Sequence, residues 1–278
     1  MMIGNASLAA LATLTTLATL GLAILTAAPT RASDAMTFTL GRLDRSPDCG
    51  APCAQFIVAD GQIEQFSSFS YLLARKRTGD RDLPVLLTSP GGYIAGADRI
   101  ARVWRKLGVT VIVVNVVTVC EKSVEVVKGR GKTTTITKTC LDAPNPSGVQ
   151  AFRLAHSGAK CASACTLMVA GATRRIAVET ARIGLHRSHI DPDSEAARVA
   201  KSFGAPTEQV IAQVEKNFLE SLESLGIDPE LSRRASKTAA NDMEWITPEE
   251  ARRYHLFNAN TDDAALTEEL RAALATLR

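Results

Sequence analysis

The run from Leu83 to Thr88 closes directly on Ser89-Pro90-Gly91-Gly92, and no other junction constrains the chain so tightly. A continuous apolar stretch of this kind reads as a strand buried on both faces, as in parallel sheets covered by helices. Parallel neighbours need long, usually helical crossovers, so strand and helix should alternate on either side. They do. Met36 to Gly41 is a short strand, Arg42 to Ala54 a loop rich in Pro, Cys and Gly, and Gln55 to Ala59 a second strand ending at Asp60-Gly61. Ile63, Phe66, Phe69, Leu72 and Leu73 recur at helical spacing and predict an amphipathic helix to Lys76. Ile94 to Leu107 predicts a further helix, and Val109 to Val119 one long β-branched strand. The repeated order makes the class α/β.

Beyond Val119 the texture changes. Cys120 to Cys140 is rich in Lys, Glu and Thr around Gly129-Arg130-Gly131, and reads as an exposed β-hairpin inserted into the fold. Cys161 to Gly171 reads as a short apolar helix starting near Ser163, followed by strands at Arg174 to Val178 and Arg182 to Leu185. Ile190 to Ala205 is polar and reads as a loose segment. Pro206 to Leu225 predicts a long helix with Val210, Ile211, Val214, Phe218 and Leu222 on one face. Pro229 to Ala239 predicts another, Thr247-Pro248-Glu249-Glu250 is a capping box with Pro at the first helical position, and residues 261–278 close the chain as a helix.

The first 35 residues are different material. Ala6 to Pro29 contains no charged residue, and small residues at Thr30-Arg31-Ala32 and Ala32-Ser33-Asp34-Ala35 suit a cleavage site. The apolar run is also about the length of a membrane span. Residues 1–35 are expected to be a signal peptide or an anchor through residues 6–29, so the chain is exported, either free in the periplasm or held to the membrane facing it. Six cysteines suit an oxidising compartment. Proximity favours Cys49–Cys53 and Cys120–Cys140. Cys161 and Cys165 are either a disulfide that rigidifies the turn between them or two inert buried thiols. Neither the cysteine spacings nor His156, His186, His189 and His255 repeat at ligand spacing, so no metal is expected. A net charge of +3, with its cations scattered, gives no footprint for nucleic acid.

Three segments carry chemistry. The Gly91-Gly92 step offers backbone N–H groups of the kind that hold an oxyanion. Ser163 sits in a small-residue turn, and His186 ends a strand at Gly184-Leu185-His186. Serine, base and oxyanion donors together are the parts of an acyl-transfer site.

In this order the segments resemble the Clp protease proteolytic subunit and its clan, which includes signal peptide peptidase A and the crotonase-like fold. The likeness rests on Phe56-Ile57-Val58 with Gly61-Gln62-Ile63, Leu87-Thr88-Ser89-Pro90-Gly91-Gly92-Tyr93-Ile94-Ala95-Gly96, Ala162-Ser163-Ala164-Cys165 with Ala170-Gly171, Arg182 to His186, and Asp242 to Ala251. It runs from about 55 to 257, interrupted by the 120–160 stretch. The resemblance implies a ClpP/crotonase-like domain over 36–260, with the helix from Pro206 in the place of the handle helix and 120–140 as a disulfide-stapled hairpin. It implies Ser163 as nucleophile, His186 as general base, Gly91 or Gly92 with Ala164 as the oxyanion hole, and Asp242 orienting the imidazole. Two positions depart from the pattern: Cys165 stands where the family has Gly, and Asp242 lies three residues before Trp245 rather than two. Asn241, a water, or a dyad without a third member are the alternatives for the acid.

The expected activity is cleavage of short or unfolded polypeptide through an acyl-enzyme, without cofactor and as a homo-oligomer. Export separates the chain from cytoplasmic ATP, so an ATP-driven unfoldase is not expected as partner. The alternative is a catalytically drifted, envelope-anchored scaffold or binding module of the same fold. Acyl transfer of crotonase type has less support, because no adenine- or pantetheine-binding feature is evident.

Overall fold

Seven strands gathered from along the chain form the main sheet of a mixed α/β core. The computed structural model describes residues 35–44, 54–119, 125–129, 132–136, 149–189, 195–202, 204 and 206–277. β1 (Thr37–Leu43) pairs antiparallel with β2 (Gln55–Asp60), which runs parallel to β3 (Val85–Thr88). Between them stands α1 (Ser67–Arg77), and α2 (Ile94–Leu107) crosses from β3 to β4 (Thr110–Val113). β5 (Asn115–Thr118) and β8 (Gln150–Ala155) pair antiparallel and flank a separate hairpin, β6 (Glu125–Gly129) with β7 (Lys132–Ile136). β9 (Lys160–Ala162), α3 (Cys165–Gly171), β10 (Arg174–Ala177) and β11 (Arg182–Leu185) follow. The large sheet has the order β10-β4-β3-β2-β1-β8-β5. β3, an interior strand between β4 and β2, is buried at every position, as its unbroken apolar run requires.

The chain continues through α4 (Glu195–Ser202), α5 (Thr207–Ser224), α6 (Pro229–Lys237), β12 (Glu244–Ile246), α7 (Pro248–Arg253) and α8 (Glu268–Ala275). β12, β11 and β9 form a second sheet, with β11 parallel to β9 and antiparallel to β12. α7 begins on the expected capping box: Glu250 N–H donates to Thr247 Oγ1 at 3.2 Å, and Thr247 N–H to Glu250 Oε2 at 2.9 Å. α8 packs Leu270 and Leu274 into the same core as the large sheet. Among the described residues no helix is long and apolar enough to cross a membrane. Residues 6–29, Cys49, Cys53, Cys120 and Cys140 lie outside the described residues.

Three expectations are corrected. The apolar stripe of α1 does not face the core: Phe66 is 71% exposed and Phe69 60%, while Ser67, Tyr71 and Ala74 are buried. Tyr71 decides this orientation by sitting edge-on between Phe38, at 5.6 Å, and Trp104, at 5.7 Å. The single strand from Val109 to Val119 is two. Val114 still donates to Leu87 O and accepts from Thr88 Oγ1, but from Asn115 the chain leaves β3 and pairs with β8 at the far edge. Finally, the polar 190–205 segment contains α4.

Candidate active site

β3 and β9 bring their ends together beside α3. Ser89 N–H donates to Lys160 O at 2.9 Å, and Ala162 N–H returns to Ser89 O at 3.1 Å. Ser163 follows β9 and turns with φ of +55°, a left-handed conformation unusual for a residue with a side chain. Such a conformation persists only where its surroundings dictate it. Ser163 N–H donates to Gly184 O at 2.8 Å, and Ser163 O accepts from both Thr166 N–H and Thr166 Oγ1. A disulfide joins Cys161 to Cys165 across the turn. Cys165, two residues after the serine, is thus half of a covalent staple around it.

Gly91 presses on this turn from the other side. A Cβ there would lie 2.7 Å from Ala162 O and 2.8 Å from Ser163 Cβ, and its φ of +104° also demands glycine. The Gly91 N–H is engaged, donating to Ser89 Oγ at 3.1 Å. The Gly92 N–H takes no part in the bonds that Ile63 makes with Gly91 and Tyr93. Ala164, at the N-cap of α3, likewise has no intrahelical acceptor for its N–H. Among the described residues neither Gly92 N–H nor Ala164 N–H has a backbone acceptor.

His186 directly follows β11 and is half-buried. It lines one cleft with Ser163, Ala164 and Thr166, against an apolar wall from Ile94, Phe218, Leu222, Leu231 and Ala235. No hydrogen bond joins Ser163 Oγ to the ring. Burial holds the imidazole below its ordinary value of 6.5, and His189, with ring centroid 6.0 Å away, adds to this. The Arg187 and Ala240 carbonyls pull the other way, without either making a hydrogen bond to Nδ1. The ring thus stays neutral, and able to accept a proton, further into acid than a free histidine. NMR titration of the His186 ring is expected to give a midpoint below 6.5. His189→Ala should move that midpoint upward, and an unmoved midpoint would remove His189 from the account. Because the unfolded chain takes up this proton first, the His186 contribution to stability is complete above 6.5 and declines as pH falls from there towards the folded-state midpoint.

Asp242 does not bond to the ring. Its side chain is exposed and its Oδ1 accepts from Met243 N–H at 2.7 Å, and no hydrogen bond or ion pair joins it to His186. Arg187 N–H donates to Thr238 O, so the backbone just after α6 occupies that flank, and the exposed Asp242 carboxylate folds back locally. The Asp242 carboxylate therefore caps its own turn. Asn241 is exposed as well. Ser232 was legible in no pattern, since a lone serine inside a helix carries no signal, yet it lines the cleft.

No protein-family model matches the chain, and no curated protein sequence does. Among solved structures, a ClpP1 mutant from Listeria monocytogenes is similar, with TM-score 0.42 and 14% identity over 76% of this chain and 90% of that chain.

Proposed function

We propose that this chain is an exported serine peptidase of Clp-protease type, acting on short or unfolded polypeptide without ATP. The observation that carries the reading is Ser163, in its left-handed turn, sharing a cleft with Ala164 and His186. In this chemistry His186 takes the Ser163 hydroxyl proton as Oγ attacks the scissile carbonyl. Gly92 and Ala164 hold the oxyanion, each donor contributing about 3 kcal/mol in the transition state. His186 then passes the proton to the leaving amine, and water releases the acyl group. Residues 6–29 carry the domain out of the cytoplasm as signal or anchor. Self-association accompanies the reading, and the exposed Phe66 and Phe69 are available to it; a Phe66→Ser/Phe69→Ser variant that sediments like the parent would exclude that face.

A second reading, a drifted scaffold, is favoured by the missing hydrogen bonds between Ser163 and His186 and between His186 and Asp242. Catalytic hydrogen bonds are often long before substrate binds, so the first reading keeps precedence. A fluorophosphonate probe on the oxidised full-length chain separates them. Labelling of the parent that disappears in His186→Ala supports the peptidase, whereas a folded parent that takes no label supports the scaffold.

A further inference from the structure

We infer that Cys161 and Cys165 are positioning residues for Ser163: their disulfide holds the turn in its working shape, so that oxidation licenses the serine and the dithiol chain is folded but inert. The inference deepens the peptidase reading and rests on Ser163 being the nucleophile; the hold on the turn can be measured separately. The bond spans four residues, from the middle of β9 to the first residue of α3, and encloses Ser163 and Ala164. On one side it grips the strand whose Lys160 O and Ala162 N–H bond the backbone of Ser89, where the Gly91 loop begins. On the other it grips the helix that opens at Ala164. The strand behind the glycine loop and the helix behind the serine are thus joined covalently across Ser163.

Among the described residues few hydrogen bonds close this turn. Alanine is a poor N-cap, Ala164 makes no side-chain cap, and the first turn of α3 carries no acidic residue to meet the helix dipole. Ser163 N–H reaches Gly184 O, but the bonds from Thr166 to Ser163 O lie within the turn itself. Against these, the left-handed φ of +55° at Ser163 disfavours the closed form by about five- to thirtyfold. Closing so short a loop with a covalent bond favours it by about thirtyfold on chain entropy alone. The bond therefore offsets the cost of the left-handed serine.

The licensing step is thiol–disulfide exchange with a disulfide oxidant. One thiolate of the pair attacks the oxidant, which releases one of its own thiolates and leaves a mixed disulfide. The second thiolate of the pair displaces the other. Two electrons and two protons pass to the oxidant, which is left as a dithiol. Both cysteines are fully buried, so a reductant in solution does not reach the finished bond and the step is one-way.

The test compares the full-length parent folded with an oxidant, the parent folded with reductant throughout, and Cys161→Ala/Cys165→Ala, which leaves Cys49, Cys53, Cys120 and Cys140 in place. Hydrogen exchange reads the turn, and fluorophosphonate labelling reads the serine. In the reduced parent and in the variant, exchange at Ser163 N–H should quicken at least tenfold while the β3 amides exchange as before. Labelling should slow at least tenfold, with circular dichroism unchanged. A bond that only stabilised the domain would quicken β3 as much as the turn, and that result overturns the inference. So does a turn that exchanges equally slowly in all samples, or labelling at the oxidised rate without the bond. A reduced parent and a variant that both fail to fold overturn it as well, since the bond would then be a requirement of the fold. An oxidised parent that takes no label sinks the peptidase reading alone, because exchange at Ser163 still decides whether the bond holds the turn.

Discussion

Ser163→Ala is expected to abolish fluorophosphonate labelling and to lower peptide hydrolysis by a factor on the order of 10⁶, as loss of a serine nucleophile does where serine and histidine act as a unit. The effect should be nearly all in turnover, since the apolar wall and the Gly92 and Ala164 amides remain to bind substrate. Alanine also inherits the φ of +55°, so the variant should keep the backbone strain and gain no stability. Ser163→Gly provides the control. It should be equally inert but more stable than Ser163→Ala by about 1 kcal/mol, because glycine visits the left-handed region freely. Hydrolysis that survives both substitutions would place the nucleophile elsewhere.

Gly171→Val is expected to prevent folding or to remove about 3 kcal/mol or more of stability, read from the denaturant midpoint. A Cβ at Gly171 would lie 2.3 Å from Ala101 Cα and 2.4 Å from Ala101 O, atoms of the α2 backbone that no rotamer change can move aside. The two helices would have to separate. α3 starts just after Ser163, so even a variant that folds should lose the alignment of the turn with Gly91. Gly171→Ala should show a smaller loss of the same sign, and an unchanged midpoint in that variant would mean that the helices do not approach so closely.

Much of the scaffold was legible in the sequence. The unbroken apolar run of β3, the short strands β10 and β11, and the capping box of α7 are local patterns that the tertiary structure leaves intact. The face of α1 was not legible, because periodicity reports which side chains are apolar, not which side meets Phe38 and Trp104. Val114 hid a change of partner in the same way: β-branched residues favour strands without specifying a neighbour. At the site, Ser163, His186 and the glycines are brought together as their order suggested, whereas Asp242 is not. A carboxylate displaced along a turn meets a different backbone N–H, and hydrogen bonding over one residue decides where it points. Proximity gave the Cys161 and Cys165 pair no priority, yet they are bonded. They close a ring around the serine.

That ring imposes an order on events. Both cysteines are fully buried, so the finished core offers an oxidant no path to their sulfurs. The bond has to form while β9 and α3 are still accessible, before the walls of the cleft are packed. A chain that folds under reducing conditions would seal two thiols beneath Ser163 and could be oxidised only by opening again. The turn therefore fixes the stage of folding at which the bond can form.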